Sequence, residues 1–229
     1  MAQKKKQNNN KIKLSTRGSL ILTLVVVVLG YIGIQMPNEV LSIFDWQSHS
    51  QTETPKKGQT PASQTGDNPG PVEHGAAQFS NKELKDSKKG WITYGDYDKY
   101  GRPTQANALI KPDMINTGTS ARQEIKPPGF ISGLDPHNHS RGHLIGRQMG
   151  GSGDDPKNLV TLYQNPVNTP FMTKYENMVR KAADNGETIR YQVTPVYEKD
   201  EPMPVAVDMQ GKSLGSDTVN FNVTIENKK

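Results

Sequence analysis

The sequence predicts an α+β domain in the C-terminal part of this 229-residue chain, and three observations carry that reading. Met172, Tyr175, Val179 and Ala182 recur at helical spacing between Asn168 and Asp184, the clearest helix in the chain. Ile189, Tyr191 and Val193 alternate directly after it, as do Val219, Phe221, Val223 and Ile225, giving two strands with one buried face. Before the helix, Leu144-Ile145-Gly146 and Leu159–Tyr163 are apolar stretches of strand length, and a short strand is expected around Gln123–Pro127.

The helix has recognisable ends. Pro170 suits a first helical turn, where its missing N–H costs nothing, and Thr169 can cap it. Asn185-Gly186 supplies the stop. The stretch between Phe79 and Gln123 is rich in Gly, Pro and Asp and reads only as loops and short strands.

The N-terminal third is of another kind. Residues 1–17 carry six lysine and arginine side chains and no acid, more than the net charge of +5, so the remainder of the chain is slightly acidic. The basic balance therefore says nothing about the folded part, and any phosphate contacts must come from individually placed residues. Residues 18–38 hold no charged side chain, and their apolar core matches the ~20 residues a helix needs to cross a bilayer. With the basic block before it, this segment is expected to be a transmembrane signal anchor with a cytoplasmic N-terminus and an exported C-terminal part. The alternative is a cleaved signal peptide and secretion, but Gln35-Met36-Pro37-Asn38-Glu39 lacks the small-residue pair that cleavage prefers. Residues 39–78 are expected to form a flexible linker, since 47–78 are mostly Gln, Thr, Pro and Gly and cannot bury enough surface to offset their ordering entropy. His49 and His74 read there as solvated bystanders. The domain is expected over 79–229. The chain has no cysteine, which excludes disulfides, thiolate metal sites and a cysteine nucleophile.

The densest polar cluster runs from Asp135 to His143 (DPHNHSRGH). Ser140-Arg141-Gly142-His143 resembles the Asp-Arg-Gly-His signature of the DNA/RNA non-specific endonucleases, which have a ββα-metal (His-Me finger) active site. Leu144-Ile145-Gly146, Gly150-Gly151 and Asn158-Leu159-Val160 resemble the stretch that follows it, especially in the bacterial DNA-entry nuclease branch. The Asn-x7-Glu pair of that family is matched by Asn168 and Glu176, and a looser similarity reaches back to Trp91. Ser140 departs from the signature, which has Asp there.

The resemblance implies roles that also make physical sense. His143 would take a proton from the attacking water, a task suited to imidazole with its ordinary pKa of ~6.5. An isolated histidine is more often structural; the constellation reverses those odds. Asn168 would coordinate Mg²⁺, with Mn²⁺ as an alternative, through its amide oxygen, because such hard cations keep several waters and need few protein ligands. Capping the helix is the simpler role for Asn168. Glu176 lies eight residues on, about 12 Å along a straight helix at ~1.5 Å per residue, so it is assigned to the metal's water shell. Its simpler role is a surface pair with Arg180. Arg141 and Arg122 are candidates for contacting phosphate or orienting the site, Arg122 where the family carries a catalytic arginine on a strand; Arg147 is a further phosphate contact or simply exposed. The implied activity is hydrolysis of DNA, with RNA left open, without sequence reading and leaving 5′-phosphate ends. An inhibitor or an uptake-machinery partner remains unassigned. Two rivals stand beside this: a zinc hydrolase built on His137, His139 and His143, and a surface DNA-binding module without activity.

Overall fold

The structure, a computed structural model, describes residues 68–133 and 135–229. The expected tail (1–17), membrane anchor (18–38) and most of the linker (39–78) lie outside the described residues.

A six-stranded antiparallel sheet forms one layer. Its strands are β1 (Val72–Gly75), β2 (Trp91–Tyr94), β3 (Ala106–Ile110), β6 (Ile189–Val196), β7 (Ala206–Ser213) and β8 (Asn220–Glu226), in the order β1-β8-β7-β6-β3-β2. Alternation puts Tyr191 and Val193 of β6, Val207 and Met209 of β7, and Phe221, Val223 and Ile225 of β8 on one buried face. Gln192, Thr194, Asp208, Gln210, Asn222 and Thr224 alternate with them on a partly exposed face.

The helix α1 (Thr173–Asp184) covers the apolar face with Tyr175, Val179, Ala182 and Ala183, all buried. The Tyr175 ring lies 4.9 Å from that of Phe221, centroid to centroid. Burying side chains of this size stabilises by about 1.5–3 kcal/mol each, which is what anchors α1.

The second layer is a hairpin of β4 (His139–His143) and β5 (Leu159–Tyr163), paired in register Ser140↔Leu162, Gly142↔Val160 and His143↔Leu159. It leads through a turn into α1, so β4, β5 and α1 form one consecutive ββα unit. Gly142 is required by packing: a Cβ there would lie 2.4 Å from Leu162 Cδ1. The long loop between the strands is pinned by Asn158, whose buried amide accepts from Ile145 N at 2.9 Å and donates to the carbonyls of Ile145 (3.1 Å) and Ser152 (2.9 Å).

Several expectations need correction. The strand is the polar cluster His139–His143 itself, and Leu144-Ile145-Gly146 lies just past its end, where Leu144 and Ile145 are buried all the same. The expected strand at Gln123–Pro127 is absent; the backbone there is turn and irregular, in a segment with two consecutive prolines at its end. The folded body also begins before residue 79. β1 pairs with β8, and Asn68 donates to the carbonyls of Glu226 and Lys228, both at 2.9 Å. His74 accordingly sits on β1, exposed, 2.9 Å from the Thr224 hydroxyl.

The helix starts later than Asn168. Residues Gln164–Met172 form a wide turn broken at Asn165 (φ −122, ψ 135) and Thr169 (φ −138, ψ 124). Each of these precedes a proline, whose ring excludes the helical conformation from the residue before it. The kink carries Asn168 off the axis of α1, and Thr173 Oγ1 donates to the Asn168 carbonyl at 2.9 Å where the helix proper begins.

Candidate active site

A cleft of about 270 Å³ opens where the end of β4, the start of α1 and the loop after β4 meet, and Arg141, His143, Arg147, Gln148, Asn168 and Glu176 line it together with Ser120 and Thr173. The sequence-predicted residues His143, Asn168 and Glu176 are therefore brought together from three different elements.

His143 is the last residue of β4. Its Nε2 lies 3.0 Å from the main-chain carbonyl oxygen of Thr119. A carbonyl only accepts, so Nε2 carries the proton and the lone pair is left on Nδ1. Burial holds the imidazole pKa below its ordinary 6.5, against the raising effect of the Thr119 carbonyl, and the Arg147 charge adds to the lowering. The group is thus neutral at pH 7 with one basic nitrogen unused.

Asn168 stands in the wide turn, half-buried. Its Nδ2 donates to Gln164 Oε1 at 3.2 Å, which leaves Oδ1 without a hydrogen-bond donor among the described residues, on a residue that lines the cleft. Glu176, in the first turn of α1, accepts from Gln148 Nε2 at 3.2 Å. Burial pushes its carboxyl up to about 7, with the Gln148 hydrogen bond opposing. A carboxylate this poorly solvated, with one long hydrogen bond, is one that a cation would stabilise strongly. Among the described residues no three His, Cys, Asp or Glu side chains converge on one point. One amide oxygen and one carboxylate fit a hard divalent ion that takes the rest of its shell from water and substrate, and do not fit an all-protein cage.

The arginines divide. Arg141 lines the cleft, but its guanidinium is committed to main-chain carbonyls, Nε to Ile125 at 2.7 Å and Nη2 to Gln123 at 3.0 Å, and it covers the Phe130 ring at 4.2 Å. It holds the 123–130 loop against β4. Arg122 lies on an irregular segment, not a strand, and pairs with Asp154 instead of lining the cleft. Arg147 is exposed, lines the cleft, and donates to Ser120 Oγ at 3.1 Å. Arg180 pairs with Asp184 at 3.5 Å and not with Glu176.

The three-histidine zinc site does not form. His139 is buried, its Nδ1 accepts from Ile131 N at 3.2 Å, and its ring packs among Phe130, His137 and Tyr163. It is separated from His143 by four residues of extended strand, about 13 Å at ~3.3 Å per residue. Ser140 donates to the Leu162 carbonyl at 3.2 Å, a bond within the hairpin. Three contributors escaped the sequence reading: Thr119, Gln148 and Gln164. Thr119 acts through a main-chain atom, which no residue pattern reveals; Gln164 would have been readable only from its four-residue spacing to Asn168, once the turn was known.

Comparison with known proteins agrees with this geometry. Residues 82–215, more than half of the chain, match the family described as DNA/RNA non-specific endonuclease. The structure is similar to that of NucA from Streptococcus agalactiae without metal, at 27% identity and TM-score 0.58 over 70% of this chain and 80% of that one. It is similar to the magnesium-bound form of NucA at 25% identity and TM-score 0.59, over 72% and 86%. The Sda1 nuclease with bound zinc shares the fold, at 20% identity and TM-score 0.55 over 69% and 89%. With the ββα unit, the cleft and the family match in agreement, the chain belongs to the DNA/RNA non-specific endonuclease family.

Proposed function

We propose that this protein hydrolyses phosphodiester bonds of DNA, with RNA as a second substrate, using His143 as general base and a divalent cation, Mg²⁺ or Mn²⁺, held by Asn168 and Glu176. The observation that carries the reading is His143 itself: Nε2 is tied to the Thr119 carbonyl while Nδ1 stays basic, in a cleft shared with Asn168 and Glu176. Magnesium in the similar NucA supports the choice of ion.

The chemistry follows from those atoms. His143 Nδ1 accepts the proton of a water attacking phosphorus, and the Thr119 carbonyl steadies the imidazolium that forms. Asn168 would hold the cation through Oδ1, and Glu176, set back on α1, would contribute its negative charge and hydrogen bonds to the water around it. The bound cation would supply positive charge to the phosphate and to the departing 3′ oxygen. Arg147 at the rim, exposed and among the described residues bonded only to the neutral Ser120 hydroxyl in the cleft, is the guanidinium offered to a neighbouring phosphate; Arg122 joins it only by leaving Asp154. Arg141 acts by holding the loop. Contacts of this kind bind backbone and read no bases, which fits cleavage without sequence preference. The domain is held outside the cytoplasm by the 18–38 segment, or is secreted if that segment is cleaved.

The test is degradation of supercoiled plasmid by the full-length chain, with Mg²⁺ and with excess chelator. Cleavage is expected only with the metal, and His143→Ala should lose about 10²-fold or more with an unchanged circular-dichroism spectrum. Chelator-resistant cleavage, or near-normal cutting by folded His143→Ala, overturns the proposal.

A further inference from the structure

The Thr119 carbonyl that holds His143 belongs to an irregular segment, which ought to be a poor support for a catalytic base. It is instead tied along its length to the loop after β4. Gly118 N donates to the Arg147 carbonyl at 3.1 Å, Thr119 N to that of Gly151 at 3.1 Å, and Arg122 N to that of Gly153 at 3.0 Å. The two segments touch so closely that a Cβ on Gly153 would lie 2.2 Å from the Ser120 carbonyl carbon.

Thr119 uses every polar atom it has. Its N–H goes to Gly151 and its carbonyl receives His143; its hydroxyl accepts from Gly153 N at 2.8 Å and donates to Asp154 Oδ2 at 2.9 Å. The hydroxyl is held from two sides, by the Gly153 N–H that it accepts and by the Asp154 carboxylate toward which its proton turns, so Asp154 supplies one of the two bonds that fix the Thr119 side chain. The other oxygen of Asp154 holds Arg122. The carboxyl is kept below its ordinary range first by the Thr119 hydroxyl and then by Arg122, so it is ionised and acceptor-only.

We propose that Asp154 is a positioning residue for the general base, acting through the Thr119 hydroxyl to hold the Thr119 carbonyl against Nε2–H of His143. The proposal rests on the reading of His143 as the base. Asp154 has no place in the cleft lining, so its effect on the reaction must pass through Thr119 or through Arg122. The two routes separate by substitution. Asp154→Asn keeps an oxygen that can accept from Thr119 but drops the charge that pairs with Arg122. Asp154→Ala drops both. Thr119→Val removes the hydroxyl and leaves the main-chain carbonyl, and Thr119→Ser restores the hydroxyl.

The experiment compares these variants by cleavage kinetics at saturating Mg²⁺ and by the nitrogen spectrum of ¹⁵N-histidine-labelled full-length chain, with the His143 signal assigned by its loss in His143→Ala. Asp154→Ala and Thr119→Val are expected to lower kcat about tenfold, the scale of one net hydrogen bond, with KM for DNA within about twofold. Their His143 signals should move from a single Nε2–H tautomer to an exchanging mixture. Asp154→Asn and Thr119→Ser should retain most of kcat and the single tautomer. Wild-type kcat and tautomer in Asp154→Ala overturn the proposal, as does an Asp154→Asn loss equal to that of Asp154→Ala, which assigns the effect to Arg122. Should Thr119→Val fail to fold, Asp154→Ala decides, because that side chain is 42% exposed and its removal leaves no cavity in the core. Full activity in His143→Ala would sink the base assignment and with it the catalytic meaning of the link, whereas an unchanged tautomer in Asp154→Ala sinks the Asp154–Thr119–His143 link itself, which the spectrum reads without any cleavage.

Discussion

Replacing Glu176 by Gln should stabilise the metal-free protein at alkaline pH. Burial raises the Glu176 carboxyl from 4.5 to about 7, against the Gln148 hydrogen bond. The folded protein thus holds that proton more tightly than the unfolded chain does. The contribution to stability is complete below pH 4.5 and is lost as the pH rises through about 7. At about 1.4 kcal/mol per pH decade, the gap corresponds to roughly 3 kcal/mol as an upper bound, which the solvent in the open cleft reduces. For a domain of this size ~1 kcal/mol moves Tm by about 2–4 °C, so a shift of several degrees is expected. The assay is thermal unfolding of wild type and Glu176→Gln in chelator at pH 8.5 and at pH 4. The variant should melt higher at pH 8.5, and the two should converge at pH 4. Mg²⁺ at pH 8.5 should raise the wild type more than the variant, because only the carboxylate gains from the cation. A variant that melts at or below the wild type at pH 8.5 in chelator refutes the reasoning, since the buried charge would then carry no penalty.

Three further outcomes are expected. Asn168→Ala should nearly abolish DNA cleavage and shift what remains to higher Mg²⁺, with Glu176→Ala less severe and Asn165→Ala close to wild type; a Mg²⁺ titration of the three variants checks this, and a dead Asn165→Ala would move the metal ligand by three residues. Asn158→Ala removes three hydrogen bonds and leaves the Ile145 N–H buried without its partner, so Tm should fall by roughly 5–10 °C, read by calorimetry. Protease added to intact cells should remove the C-terminal domain, which begins by Asn68, and spare residues 1–17; a domain digested only after lysis would reverse the proposed orientation.

Much of the domain could be read before folding. The period of Tyr175, Val179 and Ala182 placed α1 to within a few residues, and alternation placed β6 and β8, because a buried face imposes its period on the residues that line it. β7 left a weaker trace: Asp208, Gln210 and Lys212 alternate as expected, but Gly211 and Ser213 stand on the buried face where an apolar side chain would have marked it. β4 carried no strand signal in the polar cluster, because its five residues are polar apart from Gly142 and its pairing is set by β5. The late start of α1 was also hidden, although its cause, a proline after both Asn165 and Thr169, is local.

The sequence by itself determined the chemistry on offer: a histidine at the end of Arg-Gly-His, and an amide and a carboxylate eight residues apart around the start of a helix. Residue type and spacing along the chain are local properties, and they survive without coordinates. Only the tertiary structure decided which atoms face one another. It tied Nε2 of His143 to Thr119, turned Asn168 by the bond to Gln164, committed Arg141 to loop carbonyls and gave Arg122 to Asp154. Each of these partners is at least four residues away and most are more than fifteen. Such choices are made by packing and by the demand that buried polar groups be satisfied, a condition on the whole fold that no short stretch of sequence can express.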